Sequence, residues 1–179
     1  MRTTILTTER LALTTWLESD LADLQRLHAH PDAMAQMTTG VQDSDRTRAR
    51  IHDWMQEHKL RGWSKWRIQD TVGRFVGRAG FSTAHHTGHR EIGYLLAPEH
   101  WGQGYATELV TALVAWHFEN PHPALHRDLL AYVHAKNTAS QRVLEKCHFT
   151  TTDTPAPSSG ELVYHATAAA ARSSGPRSR

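Results

Sequence analysis

The stretch Glu91–Ala106, EIGYLLAPEHWGQGYA, constrains this chain more than any other. Glu91 to Ala97 is an apolar run of strand length that ends at Pro98, a residue with no N–H to give to a sheet ladder. A short glycine-bearing loop then opens directly into an amphipathic helix, expected from about Tyr105 to Phe118. Ala106, Leu109, Val110, Leu113, Val114 and His117 share one face of it. Gly102 and Gly104 carry no Cβ, so the main chain there can approach a bound group closely. The first N–H groups of the helix lack internal partners and sit at the positive end of its dipole. Strand, glycine loop and helix start in that order make a phosphate site, although the same residues also suffice for a tight turn. Two phosphate loops of other kinds do not match. The G-x-G-x-x-G/A fingerprint meets Thr107 at its third position, and Gly-Lys-Ser/Thr is not present.

The remaining elements follow from periodicity and breakers. Leu11 to Trp16 alternates as a first strand, and Asp20 is placed to cap a helix carrying Leu21, Leu24 and Leu27, with Pro31 forcing a break before Ala33-Met34. Asp43 or Ser44 starts a second helix with Ala49, Ile51, Trp54 and Met55, and Gly62 separates it from a strand over Trp63–Gln69. Asp70–Arg74 reads as a hairpin turn into Phe75–Phe81. After the Glu91–Ala97 strand and the long helix, Asp128–Val133 is a further strand. Asn137 caps a helix through Lys146 that buries Val143 and Leu144, and Phe149–Thr152 and Leu162–Thr167 are candidate last strands. The order is strand, two helices, three strands, helix, strand, helix, one or two strands, with no internal repeat. It predicts a mixed α/β (α+β) domain over residues 1–167, helices on both faces of the sheet, and a disordered tail over 168–179.

Composition narrows the functional classes. Of 179 residues, 39% are hydrophobic and 21% charged, as expected for a single globular domain with its own core. No apolar run is long enough for a membrane span, and the amino terminus lacks the apolar core of a secretory signal. The one cysteine, Cys147, cannot form an internal disulfide, which suits a cytoplasmic location. A net charge of +2 with dispersed Lys and Arg argues against a nucleic-acid surface. Fourteen histidines are many, yet they lack the spacing of a zinc site, so no metal is expected; His85, His86 and His89 read as a solvated turn.

The run E-I-G-Y-L-L-A-P followed by W-G-Q-G-Y-A-T-E resembles the central acetyl-CoA motif, Arg/Gln-x-x-Gly-x-Gly/Ala, of the GNAT superfamily of N-acetyltransferases. Trp101, Gly104 and Ala106 stand at its three defined positions. Tryptophan at the first position is familiar in the RimJ/RimL-like ribosomal-protein N-acetyltransferase branch. A second family motif, N-x-x-S-x-x-V-L-E-K-x-x-F, is present as Asn137, Ser140, Val143, Leu144, Glu145, Lys146 and Phe149. The resemblance spans about Thr8 to Thr167. It implies a mostly antiparallel sheet splayed at the cofactor site. Where the family commonly has a glycine before the phenylalanine, this chain has His148, which implies a left-handed helix end carried by a non-glycine residue at some cost. Cys147 beside it reads as a buried core thiol before a catalytic one.

The resemblance further implies acetyl-CoA as acyl donor, an amine acceptor, and direct attack of the amine on the thioester in a ternary complex. Leu95, Leu96 and Ala97 would pair with the pantetheine amides through their backbone, with an N–H near Leu95 facing the thioester oxygen. Trp101, Gly102, Gln103, Gly104, Tyr105 and Ala106, assisted by Thr107, would bind the pyrophosphate, and Asn137 the pantetheine arm. The tyrosine that protonates the leaving thiolate in many members aligns with Leu144, which has no proton to give. Ser140 is the substitute acid, or else a cap or cofactor contact. Glu91 is the candidate base, against a structural carboxylate at a strand start, and His134 a weaker one. The acceptor is either a protein N-terminus or a small-molecule amine, chosen by residues between Asp20 and Gly62 and after Thr150. Trp54, Trp63 and Trp66 are candidates for its pocket, with a core role preferred. A non-catalytic acyl-CoA sensor on the same fold is the rival of another class. A homodimer is among the assemblies left open.

Overall fold

The computed structural model describes residues 1–84, 87–153, 156 and 158–169. His85 and His86 of the turn, and residues 170–179 of the expected tail, lie outside the described residues. Among the described residues eight strands form a mixed, mostly antiparallel open sheet with strand order β1-β2-β3-β4-β5-β6-β8-β7, accompanied by five α-helices. They are β1 Thr4–Thr7, β2 Leu11–Thr14, α1 Leu21–His28, α2 Pro31–Met34, α3 Ser44–Arg61, β3 Lys65–Asp70, β4 Phe75–Thr83, β5 Arg90–Leu96, α4 Tyr105–Glu119, β6 Leu129–His134, α5 Thr138–Lys146, β7 Thr150–Thr152 and β8 Glu161–Ala166. The chain forms two compact units, each discontinuous in sequence. The first is Met1–Phe81 with Tyr94–Tyr105, and the second is Ser82–Gly93 with the chain from Ala106 on.

In the first unit, β1 pairs antiparallel with β2, β2 with β3, and β3 with β4. Sequence periodicity does not announce β1, because four residues with exposed threonines at both ends carry little pattern. Asp70 closes the β3–β4 hairpin as expected. Its Oδ1 accepts from Val72 N at 3.0 Å and Arg74 N at 2.9 Å, and Gly73 takes the left-handed position at φ 85°. α3 begins as read, with the Asp43 side chain accepting from Arg46 N at 2.9 Å, and Gly62 ends it at φ 77°. Asp20 differs from its expected role. A 3₁₀ turn over Glu18–Asp20 runs straight into α1, so Asp20 is already helical and its carboxylate points away from the α1 amides, accepting from Leu17 N at 2.8 Å and from Arg2 at 2.6 Å. Trp16, Leu24, Leu27, Ala33, Met34, Ile51, Trp54, Leu95 and Ala97 form one apolar cluster under α1 and α3.

In the second unit, β5 pairs parallel with β6 at Arg90↔Leu129 and Glu91↔Leu130, and β8 lies antiparallel between β6 and β7. Leu109, Val110 and Leu113 of α4 are fully buried, as their spacing requires. Cys147, at the end of α5, is buried and lies 3.5 Å from Thr111 Oγ1 on α4. Burial raises its pKa, so it is a packing thiol and a poor nucleophile.

His148 is the one non-glycine residue of positive φ among the described residues, at 63°. It closes α5 with His148 N donating to Glu145 O and Phe149 N to Leu144 O, both at 3.0 Å. The left-handed region brings Cβ against the following carbonyl, which a glycine avoids. His148→Gly is therefore expected to raise stability by about 0.5–1 kcal/mol, the steric relief exceeding the added freedom of the unfolded chain. A urea titration reads this directly; an unchanged or lower midpoint would show that the helix end carries no such strain.

Candidate functional site

Within the first unit, β5 ends at Leu96 and Pro98–His100 makes a 3₁₀ turn into the glycine loop. Alternate residues of a strand direct their N–H and C=O to opposite edges. Ala97 N donates to Val76 O at 2.9 Å, and Leu95 O faces Gly77, so the main-chain groups of Leu95 and Ala97 are turned to β4. Those of Leu96 are turned to the other edge, where its carbonyl accepts from Trp101 Nε1 at 2.9 Å. The indole of Trp101, half exposed, thus ties the loop back to the strand end.

The loop residues Trp101 to Gly104 are exposed, and both glycines are left-handed, Gly102 at φ 73° and Gly104 at φ 80°. Among the described residues nothing crowds the place of a Cβ at Gly102, so its glycine is required by backbone conformation and not by packing. Arg10, which no sequence pattern singles out, is the unforeseen member of this group. Its Nη1 donates to Gln103 O at 2.9 Å, its guanidinium lies 4.7 Å from the centre of the Tyr105 ring, and a Cβ on Gly104 would lie 3.5 Å from its Nη2. A fixed positive charge beside the open amides of a glycine loop favours an anion there. Local sequence holds no signal for it, since Arg10 and Gln103 are 93 residues apart.

Within the second unit, Asn137 caps α5 as expected, its Oδ1 accepting from Ser140 N at 3.1 Å. That bond commits the amide oxygen and leaves the Asn137 NH₂ as the donor the residue can offer. Asn137 and Ser140 are both half-buried, while Leu144 is fully buried core; Val143, expected to be buried, is only half so. Glu91 is half-buried on β5, with Ser82 Oγ donating to its Oε2 at 3.3 Å. Tyr132 on β6 senses it: burial and then the Glu91 charge raise the phenol pKa. Among the described residues no hydrogen bond joins Glu91 to Ser140. His134 is poorly placed as a base, because its Nδ1 lone pair accepts from Lys136 N at 3.2 Å. A small recess of about 20 Å³ in this unit is lined by Arg90, His117, His122 and His126 among others, and none of the site residues read from the sequence lines it. Among the described residues no group of His, Cys, Asp or Glu is arranged to hold a metal ion, and no helix is long and apolar enough to cross a membrane.

Trp54, Trp63 and Trp66 are all buried, in keeping with the preferred core reading; Trp54 stacks on Trp16 with ring centres 5.6 Å apart.

Comparison with known proteins gives concordant findings. A family model described as an acetyltransferase (GNAT) domain matches residues 10–150. The uncharacterised protein YkkB of Bacillus subtilis is 32% identical over 147 residues, covering 80% of this chain and 83% of that protein. An acetyltransferase from Agrobacterium tumefaciens superposes with a TM-score of 0.77 at 27% identity, over 92% of this chain and 94% of the other. RimL, a ribosomal L7/L12 α-N-protein acetyltransferase solved with coenzyme A, superposes with a TM-score of 0.73 at 20% identity, over 92% and 98% of the two chains.

Proposed function

The chain belongs to the GNAT acetyltransferase family, and on that premise we propose that it transfers acetyl from acetyl-CoA to a primary amine by direct attack in a ternary complex. The observation that carries this reading is the open glycine loop at the end of β5, with two left-handed glycines and the Arg10 charge beside it. Such a loop suits a pyrophosphate: amides without partners, a positive charge, and no side chain in the way. Trp101, Gly102, Gln103, Gly104, Tyr105, Ala106 and Thr107 would hold that group. Leu96 would pair with the pantetheine through its outward main-chain groups, flanked by Leu95 and Ala97, and the Asn137 amide NH₂ would add a donor.

Transfer needs a neutral amine, support for the charge developing on the thioester oxygen, and a proton for the leaving thiolate. In this reading Glu91, held by Ser82, accepts the amine's proton through water. A main-chain N–H near Leu95 supports the oxyanion, and Ser140, fixed at the first turn of α5, delivers the proton to sulfur. The buried, neutral-favouring Cys147 supports direct attack in place of an acyl-enzyme. RimL acts on a protein α-amine, but at 20% identity the likeness extends to the fold and does not fix the acceptor here. A cytoplasmic location fits the single buried thiol.

Gly104→Val tests the loop. A β-branched residue at φ 80° costs about 1–3 kcal/mol and places methyl groups where the phosphates would lie. The dissociation constant of acetyl-CoA, measured by calorimetric titration, is expected to rise by about tenfold or more with the far-ultraviolet dichroism unchanged. Equal affinity in the variant would reduce the loop to a turn.

A further inference from the structure

Two arginines on neighbouring strands of the first unit differ in a way that points to a ligand. Arg67 on β3 and Arg78 on β4 are directly paired in the register, so their side chains leave the same face of the sheet, and both are buried, at 5% and 6% exposure. Arg67 is compensated: carboxylates of Asp20 and Asp23 lie 3.4 Å and 3.2 Å away, and Gln69 accepts from it at 2.7 Å. Arg78 is not. Its recorded hydrogen bond runs from Nε to His28 Nε2 at 3.2 Å, and its guanidinium stands 5.4 Å from the Trp54 ring centre. Among the described residues no carboxylate forms an ion pair with it, and the charge that acts on it is another cation, Arg50 of α3.

His28 supplies no countercharge. Because Arg78 can only donate, His28 Nε2 must be the lone-pair nitrogen; the proton is then on Nδ1, facing Thr47 Oγ1 at 3.3 Å. The ring is neutral, and burial followed by the charges of Arg78 and Arg50 lowers its pKa to about 3. Burial lowers the Arg78 pKa to about 10, which still leaves it charged near neutral pH. The guanidinium is held at Nε by a neutral imidazole and lies beside an indole, while its two outer nitrogens, which have no protein partner among the described residues and are not fully buried, are left to an anion.

Its place in the strand says which anion. Arg78 follows Gly77, the point where β4 comes so close to β5 that a Cβ would lie 2.2 Å from Leu95 O. The Leu95 side chain and Trp54 belong to one cluster under α1 and α3, so the Arg78 guanidinium shares that face with Leu95. Leu95 is where the thioester carbonyl lies in the reading given above, on which this inference rests. We propose that Arg78, oriented by His28 and flanked by Arg50, docks an oxyanion of the acceptor, so that the substrate is a small amine bearing a carboxylate or phosphate and not a cationic polyamine.

The test compares acceptors in matched pairs with the full chain and acetyl-CoA: phenylalanine against phenylalaninamide for a carboxylate, phosphoethanolamine against ethanolamine for a phosphate, and spermidine as the polyamine. The oxyanion-bearing member of at least one pair is expected to be favoured by about tenfold or more in kcat/KM, and which pair responds tells carboxylate from phosphate. Arg78→Met should erase the preference while leaving the melting temperature equal or higher, because it removes a buried charge that lacks a partner. Arg50→Gln, on the exposed face of α3, should weaken the preference severalfold and carries the test if the first variant does not fold. Inorganic phosphate, added with saturating CoA so that the glycine loop is already filled, gives a readout independent of turnover, raising the melting temperature of the wild type and not of Arg78→Met. Equal use of both members of each pair, a preference for spermidine, or a preference that survives Arg78→Met overturns the proposal. Where acetyl-CoA still raises the melting temperature, that failure belongs to the Arg78 assignment alone. If no amine of any class is acetylated, the failure lies in acetyl transfer itself.

Discussion

Glu91→Gln is expected to lower kcat/KM by about 10²–10⁴, the range that general-base catalysis supplies. The substitution keeps size and keeps an oxygen to accept from Ser82, so the local hydrogen bond at 3.3 Å survives while the proton acceptor is lost. An acceptor amine of pKa about 8 or more is largely protonated at neutral pH, and the base is needed to remove that proton. The loss should therefore shrink as pH rises through the amine's own pKa, because the free amine then arrives unassisted. Ser140→Ala should instead depress kcat with little recovery at high pH, since its task concerns the departing thiolate. Acetyl-CoA affinity should be similar in both variants, which separates proton transfer from binding. Near-full activity in both would shift catalysis to positioning and main-chain hydrogen bonds.

Gly77→Ala is expected to destabilise the protein by about 3 kcal/mol or more, a large part of the roughly 5–15 kcal/mol typical of a domain. The Cβ would lie 2.2 Å from Leu95 O and 2.9 Å from Leu96 Cα, both main-chain atoms, so no side-chain rotation relieves the clash. The backbone at φ 157° is also unfavourable for an L-residue. The strands must part at the segment proposed to hold pantetheine, so folding and cofactor binding fail together. Gly73→Ala is the control. Its φ of 85° is strained, yet among the described residues nothing lies within 4 Å of its added Cβ, so it should cost only about 1–2 kcal/mol. Urea midpoints of the two variants decide the matter; equal midpoints would mean that β4 and β5 can separate freely at Gly77.

Much of this is legible in the sequence. The spacing of Leu109, Val110 and Leu113, the stop at Pro98, the Asn137 cap and the left-handed His148 are local, and local rules find them. What the sequence hides depends on distant partners. Arg10 meets Gln103 from 93 residues away in the sequence. Gly77 reads as an ordinary strand glycine until β5 lies against it. Arg78 sits in F-V-G-R-A-G-F as if it were a solvent-facing residue of an alternating strand, and only the packing of α1 and α3 over that face buries it. Asp20 misleads for the opposite reason: a cap is local, but the Leu17 amide and Arg2 compete for the same carboxylate and win.

Direct acetyl transfer to an amine is tested by incubating the full chain with acetyl-CoA and a panel of amines. Released CoA thiol and acetylated amine are quantified in the same reaction. Amine-dependent release of one CoA per acetylated product is expected, with no acetyl group left on the protein when the amine is withheld. An acetyl group captured on the protein, or acetyl-CoA that binds without turnover across peptide N-termini, amino acids, aminophosphates and polyamines, would contradict it.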